Sequence, residues 1–127
     1  AVTAVFAIAL GAFIGAPMRA LIEQTLGRVR SPLETLLLIN SLGSLLAGFS
    51  IGAFTGDLRL FLVIGAAGAF TTFSGWALAI SNYSKRLTDS GAVFVNRLVK
   101  LAIVILVGIA IPVLAAWVGF FVSELLF

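Results

Sequence analysis

Four long uncharged stretches alternate along the chain with short segments that carry its charges. The stretches are Ala1–Met18, Thr35–Gly56, Leu60–Ser84 and Leu101–Ser123. Each contains 18 to 25 residues, and about 20 apolar residues suffice for a helix to cross the hydrocarbon core of a bilayer. Because backbone in lipid must satisfy its own hydrogen bonds, each stretch is predicted to form a transmembrane helix. The predicted spans cover about residues 1–22, 33–56, 59–83 and 97–125.

The composition also indicates a membrane protein. Hydrophobic residues make up 61% of the chain and charged residues only 10%, whereas soluble domains average about 25% charged residues. The chain has no His, no Cys and only five carboxylates, which excludes zinc sites, Ser-His-Asp triads and thiol catalysis. We therefore expect one all-α, four-span membrane domain over residues 1–127. We expect neither an enzyme nor a nucleic-acid-binding protein.

The basic residues of the connections predict an orientation. With four spans, the first and third connections share one side of the membrane, and the second connection and both termini share the other. The second connection holds only Arg59. The first side holds seven basic residues: Arg19, Arg28, Arg30, Lys85, Arg86, Arg97 and Lys100. Because basic connections remain in the cytoplasm, we predict a single orientation in the cell membrane, with both termini outside.

Polar side chains within the spans concentrate in the second and third. Asn40 and Ser44 lie one helical turn apart and share a face of the second span. Small residues at three- and four-residue spacing form another stripe, which predicts close helix packing. Its members are Ser41, Ser44, Gly48, Gly52 and Gly56. The Asn40 amide suits two roles, a hydrogen bond between helices or a neutral donor to an anion.

The middle of the third span is poorly suited to a continuous helix. Residues 70–74 read Phe-Thr-Thr-Phe-Ser, and Gly65, Gly68 and Gly75 flank them. Adjacent β-branched residues lower helix propensity, and hydroxyl side chains compete for the backbone's hydrogen bonds. We therefore predict that the third helix is broken near the bilayer midplane. Broken helices at that depth form ion sites, with carbonyls facing cations and helix N-termini facing anions.

Three spans contain recognisable motifs. The first span contains Gly11-x-x-x-Gly15-Ala16-x-x-Arg19, the second contains Asn40, and the third contains Gly-Ala-Phe-Thr-Thr-Phe-Ser at 68–74. In order and spacing these motifs resemble the Fluc (CrcB) fluoride channels over essentially the whole chain. The resemblance implies a passive fluoride channel built as an antiparallel dimer with two pores. It also implies a structural sodium ion at the dimer centre.

The resemblance further implies roles for individual residues. The fluoride pathway would be lined by Asn40, Thr72, Phe73, Ser74 and Trp76. Backbone carbonyls would ligate the sodium ion at Gly68 and Thr71. A cytoplasmic vestibule would contain Arg19. These pathway groups are uncharged, which suits conduction because an ion must bind weakly enough to leave.

Three positions depart from the family's pattern. Gly75 and Trp76 stand where the family has threonine and a second phenylalanine, and Ala79 stands where an acidic residue is frequent. The fourth span has no hydroxyl between Leu101 and Val122, although the family's fourth span usually supplies one to the pore.

Three hypotheses follow for the assembly and its activity. A chain with a single orientation cannot pair antiparallel with itself, so we favour a heterodimer with a homologous, oppositely oriented subunit over a homodimer. A non-conducting structural or regulatory partner subunit is the first alternative. A small multidrug-type exporter is the weaker one, because proton exchange requires a carboxylate within the membrane and no Asp or Glu lies in the four uncharged stretches.

Overall fold

The computed structural model describes residues 1–127, and every regular element is helical. In chain order the elements are α1 (Val2–Leu26), α2 (Pro32–Ala53), α3 (Gly56–Arg59), a π-helical segment (Leu60–Ala67), α4 (Gly68–Phe70), α5 (Phe73–Asp89) and α6 (Phe94–Leu126). Four helical stretches are long and apolar enough to cross a membrane, and the third of these, Gly56–Asp89, contains α3 to α5. The chain is therefore an all-α, multi-pass membrane protein with a bent third span, as predicted.

Local sequence signals determine where several helices begin and end. The Ser31 hydroxyl accepts a hydrogen bond from the Glu34 backbone N–H at 3.2 Å, and Pro32 occupies the first turn of α2. Both residue types are favourable at a helix N-terminus. Gly56 and Gly91 adopt φ values of 61° and 73°, which glycine tolerates without steric cost. These two glycines allow the tight turns that precede α3 and follow α5.

Glycines bring two pairs of helices into backbone contact. A Cβ atom at Gly11 or Gly15 of α1 would overlap backbone atoms of the third span, and one at Gly65 would overlap α1 in return. Gly48 of α2 and Gly119 of α6 contact each other's helices in the same way. Helices in lipid gain no hydrophobic driving force from association, so close backbone approach supplies much of their packing energy. In the second span, Gly48 thus serves helix packing, as predicted for its stripe.

The first half of the third span contains a π-helical segment between α3 and α4, which the sequence did not predict. The π-helical segment covers eight residues, Leu60–Ala67, and leads directly into Gly68. Most π-helical stretches in proteins are single-turn bulges, frequently near functional sites. The run Leu-Phe-Leu-Val-Ile-Gly-Ala-Ala has apolar residues throughout, so its periodicity contains no signal that separates a π-helix from an α-helix.

Most of the remaining surface is apolar and exposed. Only 16 of 127 residues are buried, and the small core around Ile39 and Phe70 lies beside the middle of the third span. Large aliphatic and aromatic side chains along α1 and α6 are exposed, which suits surfaces that face hydrocarbon. The polar residues in the middle of the third span are therefore the exception that requires an explanation.

We predict that Gly15→Ala lowers the thermal stability of the protein, because the added methyl group would overlap the backbone of Ala66. Overpacking of this kind costs about 1–3 kcal/mol. Ala9→Val on the exposed face of the same helix is the control and should leave stability unchanged. Thermal unfolding in detergent, followed by far-UV circular dichroism, measures both variants. Equal midpoints for Gly15→Ala and the wild-type chain would contradict the packing described for α1.

Candidate functional site at the helix break

The third span is interrupted at Thr71 and Thr72, within the stretch where the sequence predicts a break. α4 ends at Phe70 and α5 begins at Phe73. The two threonines between them have extended backbone, with φ and ψ of −78° and 157° at Thr71 and −148° and 121° at Thr72. Neither pair of angles is helical. The break, meaning these two residues, leaves carbonyl groups at the end of α4 and N–H groups at the start of α5 without regular helical partners.

The Asn40 side chain of α2 supplies both missing backbone partners of Thr72. The Thr72 N–H donates to Asn40 Oδ1 at 2.8 Å, and Asn40 Nδ2 donates to the Thr72 carbonyl at 3.2 Å. The amide therefore pairs with the Thr72 peptide group as a neighbouring strand would. One of the two Nδ2 hydrogens is sufficient for this bond, so the other is available to a further acceptor.

Hydroxyl groups stabilise the start of α5. Thr72 is its N-cap, and Thr72 Oγ1 accepts a hydrogen bond from the Gly75 N–H at 3.1 Å, which satisfies one of the donors at the helix start. The Ser74 hydroxyl lies 3.5 Å from the same oxygen. Thr72 is half-buried and Ser74 is exposed. The two predicted pathway hydroxyls are therefore neighbours at the N-terminal end of α5.

Arg19 of α1 contacts the carbonyl end of the break. Its Nη1 donates to the Thr71 carbonyl at 3.2 Å, and its Nε lies 3.9 Å from Glu23 Oε1. The Gly68 carbonyl accepts a hydrogen bond from Thr71 Oγ1 at 3.4 Å. It has no backbone partner, because the Thr72 N–H that would continue the helix donates to Asn40 Oδ1 instead. Arg19, predicted for a vestibule, thus lies directly on a carbonyl oxygen of the break.

An open groove of ≈250 Å³ runs beside the break between α2, α5 and α6. We call it the groove, and its lining residues are Asn40, Ser44, Thr71, Thr72, Phe73, Trp76, Gly108, Ile109 and Pro112. It brings together four of the five predicted pathway residues, whereas Ser74 lies next to it. Phe73 is 85% exposed and Trp76 only 7%, so the two aromatic rings have opposite environments.

The sequence reasoning missed the contribution of α6 to this groove. Gly108 and Pro112 lie one helical turn apart on α6 and line the groove with Ile109. Because proline has no N–H, Pro112 leaves the Gly108 carbonyl without its helical partner. The spacing Gly-x-x-x-Pro within an apolar run was the available signal. Ser44, which the sequence placed beside Asn40 and in the small-residue stripe, also lines the groove.

We predict that Asn40→Asp loosens the break. An aspartate keeps an acceptor for the Thr72 N–H but presents a carboxylate oxygen to the Thr72 carbonyl in place of a donor. Loss of this partly buried pairing should cost about 1–3 kcal/mol. Hydrogen–deuterium exchange of the Thr72 amide should become faster, whereas Ser41→Ala, which removes only a bond within α2, should leave it unchanged. Unaltered exchange in Asn40→Asp would show that the amide does not hold the break.

Comparison with known proteins identifies relatives along most of the chain. The model of the CrcB-like protein family (Camphor Resistance, CrcB) matches residues 6–120. Relatives named fluoride-specific ion channel FluC include one from Legionella pneumophila, 44% identical over 56% of this chain and 59% of the relative. Another, from Thermus thermophilus, is 42% identical over 53% of this chain and 59% of the relative.

A third relative of the same name extends the similarity. The protein from Vibrio campbellii is 34% identical over 89% of this chain and 88% of its own length, whereas the chain spans about 59% of the length of the Legionella relative. The family resemblance predicted from the residues is thereby confirmed. With the family model matching residues 6–120, the chain belongs to the CrcB-like protein family.

Proposed function

We propose that this protein is a subunit of a fluoride-selective ion channel, which lets fluoride leave the cell passively, and is not an enzyme. The observation that carries the proposal is the break in the third span, where Asn40 and the threonines present uncharged polar groups to an open groove. The names of the relatives support the same activity. Non-helical backbone at this depth is tolerated only where it is covered by protein or lines a water-filled path.

The chemistry of the groove suits a small, strongly hydrated anion. Fluoride enters a narrow path only if donors replace its water shell, and the second Nδ2 hydrogen of Asn40 and the Ser44 hydroxyl can do so. Aromatic rings add a positive edge without a fixed charge, and Phe73 lines the groove. The N-terminal end of α5 adds the positive end of a helix dipole. Because these groups are neutral, the anion would be bound weakly enough to move on.

We infer that the carbonyl end of the break holds a structural sodium ion. The Gly68 carbonyl has no backbone partner and is exposed, and the Thr71 carbonyl accepts one hydrogen bond, which leaves a second lone pair. Carbonyl oxygens at the negative end of a helix are suitable ligands for such a cation. Two carbonyls are too few for a complete shell, so a second subunit would supply the others. The ion would contribute a fixed positive charge at the centre of the assembly.

The exposed polar groups at the break favour a second subunit on this face. Phe73 and Ser74 are exposed, and so is Gly68 at the start of α4, on the other side of the break. The Ser74 hydroxyl and the Gly68 carbonyl, which lacks its backbone partner, would each be costly if they faced hydrocarbon at mid-span. A homologous subunit in the opposite orientation would cover them and place a second break against the first. The antiparallel dimer with two pores is therefore part of the proposal.

The charge distribution favours a heterodimer. Arg19 lies within α1 and contacts the break, so it is left out of the charge comparison. The other six basic residues of its side of the membrane, against Arg59 on the opposite side, would fix one orientation with both termini outside. An antiparallel homodimer would require the same chain in both orientations. The partner would thus be a homologous subunit with the opposite charge bias.

A non-conducting partner subunit is the alternative, and Trp76 is the observation that favours it. The indole is nearly buried at the groove and lies against α6. In this case the chain would support a pore formed mainly by its partner. Loss of conduction on changing a groove residue of this chain distinguishes the two functions.

Fluoride efflux from liposomes tests the channel. We expect efflux when the chain is reconstituted with a homologous, oppositely biased subunit, and no matching chloride efflux. Phe73→Ile should lower the fluoride rate about tenfold, equivalent to roughly 1.4 kcal/mol, because it removes an aromatic edge from the groove. Phe13→Ile on the exposed face of α1 is the matched control and should conduct normally.

The efflux results distinguish the channel activity, the heterodimer and the non-conducting alternative from one another. Absence of fluoride efflux from both the lone chain and the pair would refute the channel. Rapid efflux from the lone chain would retain the channel and refute the heterodimer. Normal efflux from a pair that carries Phe73→Ile would favour the non-conducting subunit.

Cysteine labelling tests the orientation, because the chain has no Cys of its own. In the structure Thr55 lies between α2 and α3, and Ser90 lies between α5 and α6. Both positions are exposed, and each is changed to Cys in turn (Thr55→Cys and Ser90→Cys). A membrane-impermeant maleimide applied to intact cells should label position 55 fully. Position 90 should react only after permeabilisation. Partial labelling of both positions from outside would mean that the chain inserts in two orientations.

A further inference from the structure

The Trp76 indole occupies space that only a glycine on α6 leaves free. Its ring belongs to the buried cluster with Leu36, Ile39 and Phe70 and extends to α6 at Gly108. A Cβ atom at Gly108 would overlap the ring and lie 2.6 Å from the indole nitrogen. Trp76 and Gly108 are therefore a complementary pair, and the Nε1 edge of the ring is the edge that faces α6.

The indole N–H is a donor without a partner in the chain. A buried tryptophan usually pairs its N–H, yet no hydrogen bond within the chain involves Trp76 Nε1. The nitrogen also retains some accessible surface. The fully buried side-chain nitrogen and oxygen atoms without a hydrogen-bond partner are Ser50 Oγ and Arg97 Nε, and Trp76 Nε1 is not among them. Since Trp76 lines the groove, a partner for its N–H can enter from there.

The α6 side of the groove offers no other donor. Gly108, Ile109 and Pro112 line it, and none has a donor side chain. The backbone group that Pro112 frees is the Gly108 carbonyl, which is an acceptor and repels an anion. Without the indole, an anion in the groove would meet donors on the α2 side and only an acceptor on the α6 side.

We propose that the Trp76 indole N–H donates a hydrogen bond to fluoride in the groove and thereby serves as the donor that α6 lacks. This inference rests on the proposed channel function and deepens it. It assigns Trp76 a polar role through Nε1, in addition to the shape of its ring. It also assigns Gly108 a role, because any larger residue there would displace the indole.

The indole N–H can be observed directly by NMR. The chain contains two tryptophans, and Trp117 is 68% exposed on α6, so ¹⁵N-tryptophan labelling of this chain gives two indole signals. Trp76→Phe and Trp117→Phe assign them. Added fluoride should move the Trp76 proton downfield in a saturable way, and the Trp117 signal should stay in place. Chloride at the same sodium concentration should move neither signal.

Two results of this titration would overturn the inference. One is a Trp76 signal that stays in place at fluoride concentrations that saturate efflux. The other is an equal shift with chloride, which would be an ionic effect on the groove. Both results leave the channel itself intact if fluoride efflux is measured, so the inference and the proposed function fail separately.

Efflux from variants of the pair provides the second measurement. Trp76→Phe keeps an aromatic ring but removes the N–H, and fluoride efflux should fall about tenfold or more, as expected for a hydrogen bond to a charged acceptor. Trp117→Phe is the matched control and should conduct like the wild type. Unchanged efflux and selectivity in correctly assembled Trp76→Phe would refute the role of the N–H.

The pairing with Gly108 separates hydrogen bonding from packing. Gly108→Ala alone should displace the indole, shift the Trp76 signal without fluoride and reduce efflux. In the Trp76→Phe background the smaller ring leaves room for the methyl group, so Gly108→Ala should cause little further loss. Full additivity of the two losses would show that the residues are not coupled and would contradict the proposed pair.

Discussion

The exchange of two hydrogen bonds between the Asn40 side chain and the Thr72 peptide group is the interaction on which the site depends. A break within a membrane span leaves polar backbone without partners, and water cannot supply them in hydrocarbon. The Asn40 amide replaces both missing partners at once, with bonds of 2.8 and 3.2 Å. It thereby fixes the position of the break relative to α2. The contact also positions the polar groups of the third span that line the groove, because it joins the break between α4 and α5 to α2.

The sequence predicts the spans and the break well because their causes are local. Long uncharged runs are sufficient to indicate helices, and paired threonines between glycines are sufficient to weaken one. The contacts that define the site are not local. Asn40 and Thr72 are 32 positions apart, and Arg19 and Thr71 are 52 apart. Their residue types suggested polar roles, but only the packing of α1, α2 and the third span determines which atoms meet.

The π-helical segment and the role of Gly108 could not be predicted from the sequence, each for a different physical reason. The π-helical segment has a uniformly apolar sequence, so no pattern distinguishes it from an α-helix. The role of Gly108 depends on the volume of Trp76, a residue on another helix. In a lipid environment, close helix contacts arise wherever small residues allow them, and a glycine's partner is visible only in three dimensions. The expected pathway and sodium ligands remain predictions, although the break brings most of them together.

The break also separates opposite polarities along one span. At its carbonyl end the Arg19 guanidinium contacts the Thr71 oxygen, while Glu23 lies near the same arginine. At the start of α5, Thr72 Oγ1 accepts a hydrogen bond from the Gly75 N–H. The other donors near this end, the Asn40 amide and the Ser74 hydroxyl, are uncharged. A fixed positive charge on the donor side would hold an anion tightly and slow its release. Arg19 lies on the carbonyl side. In the proposed channel, hydrogen bonds and dipoles alone would therefore attract the anion, which is the condition for selective binding with rapid passage.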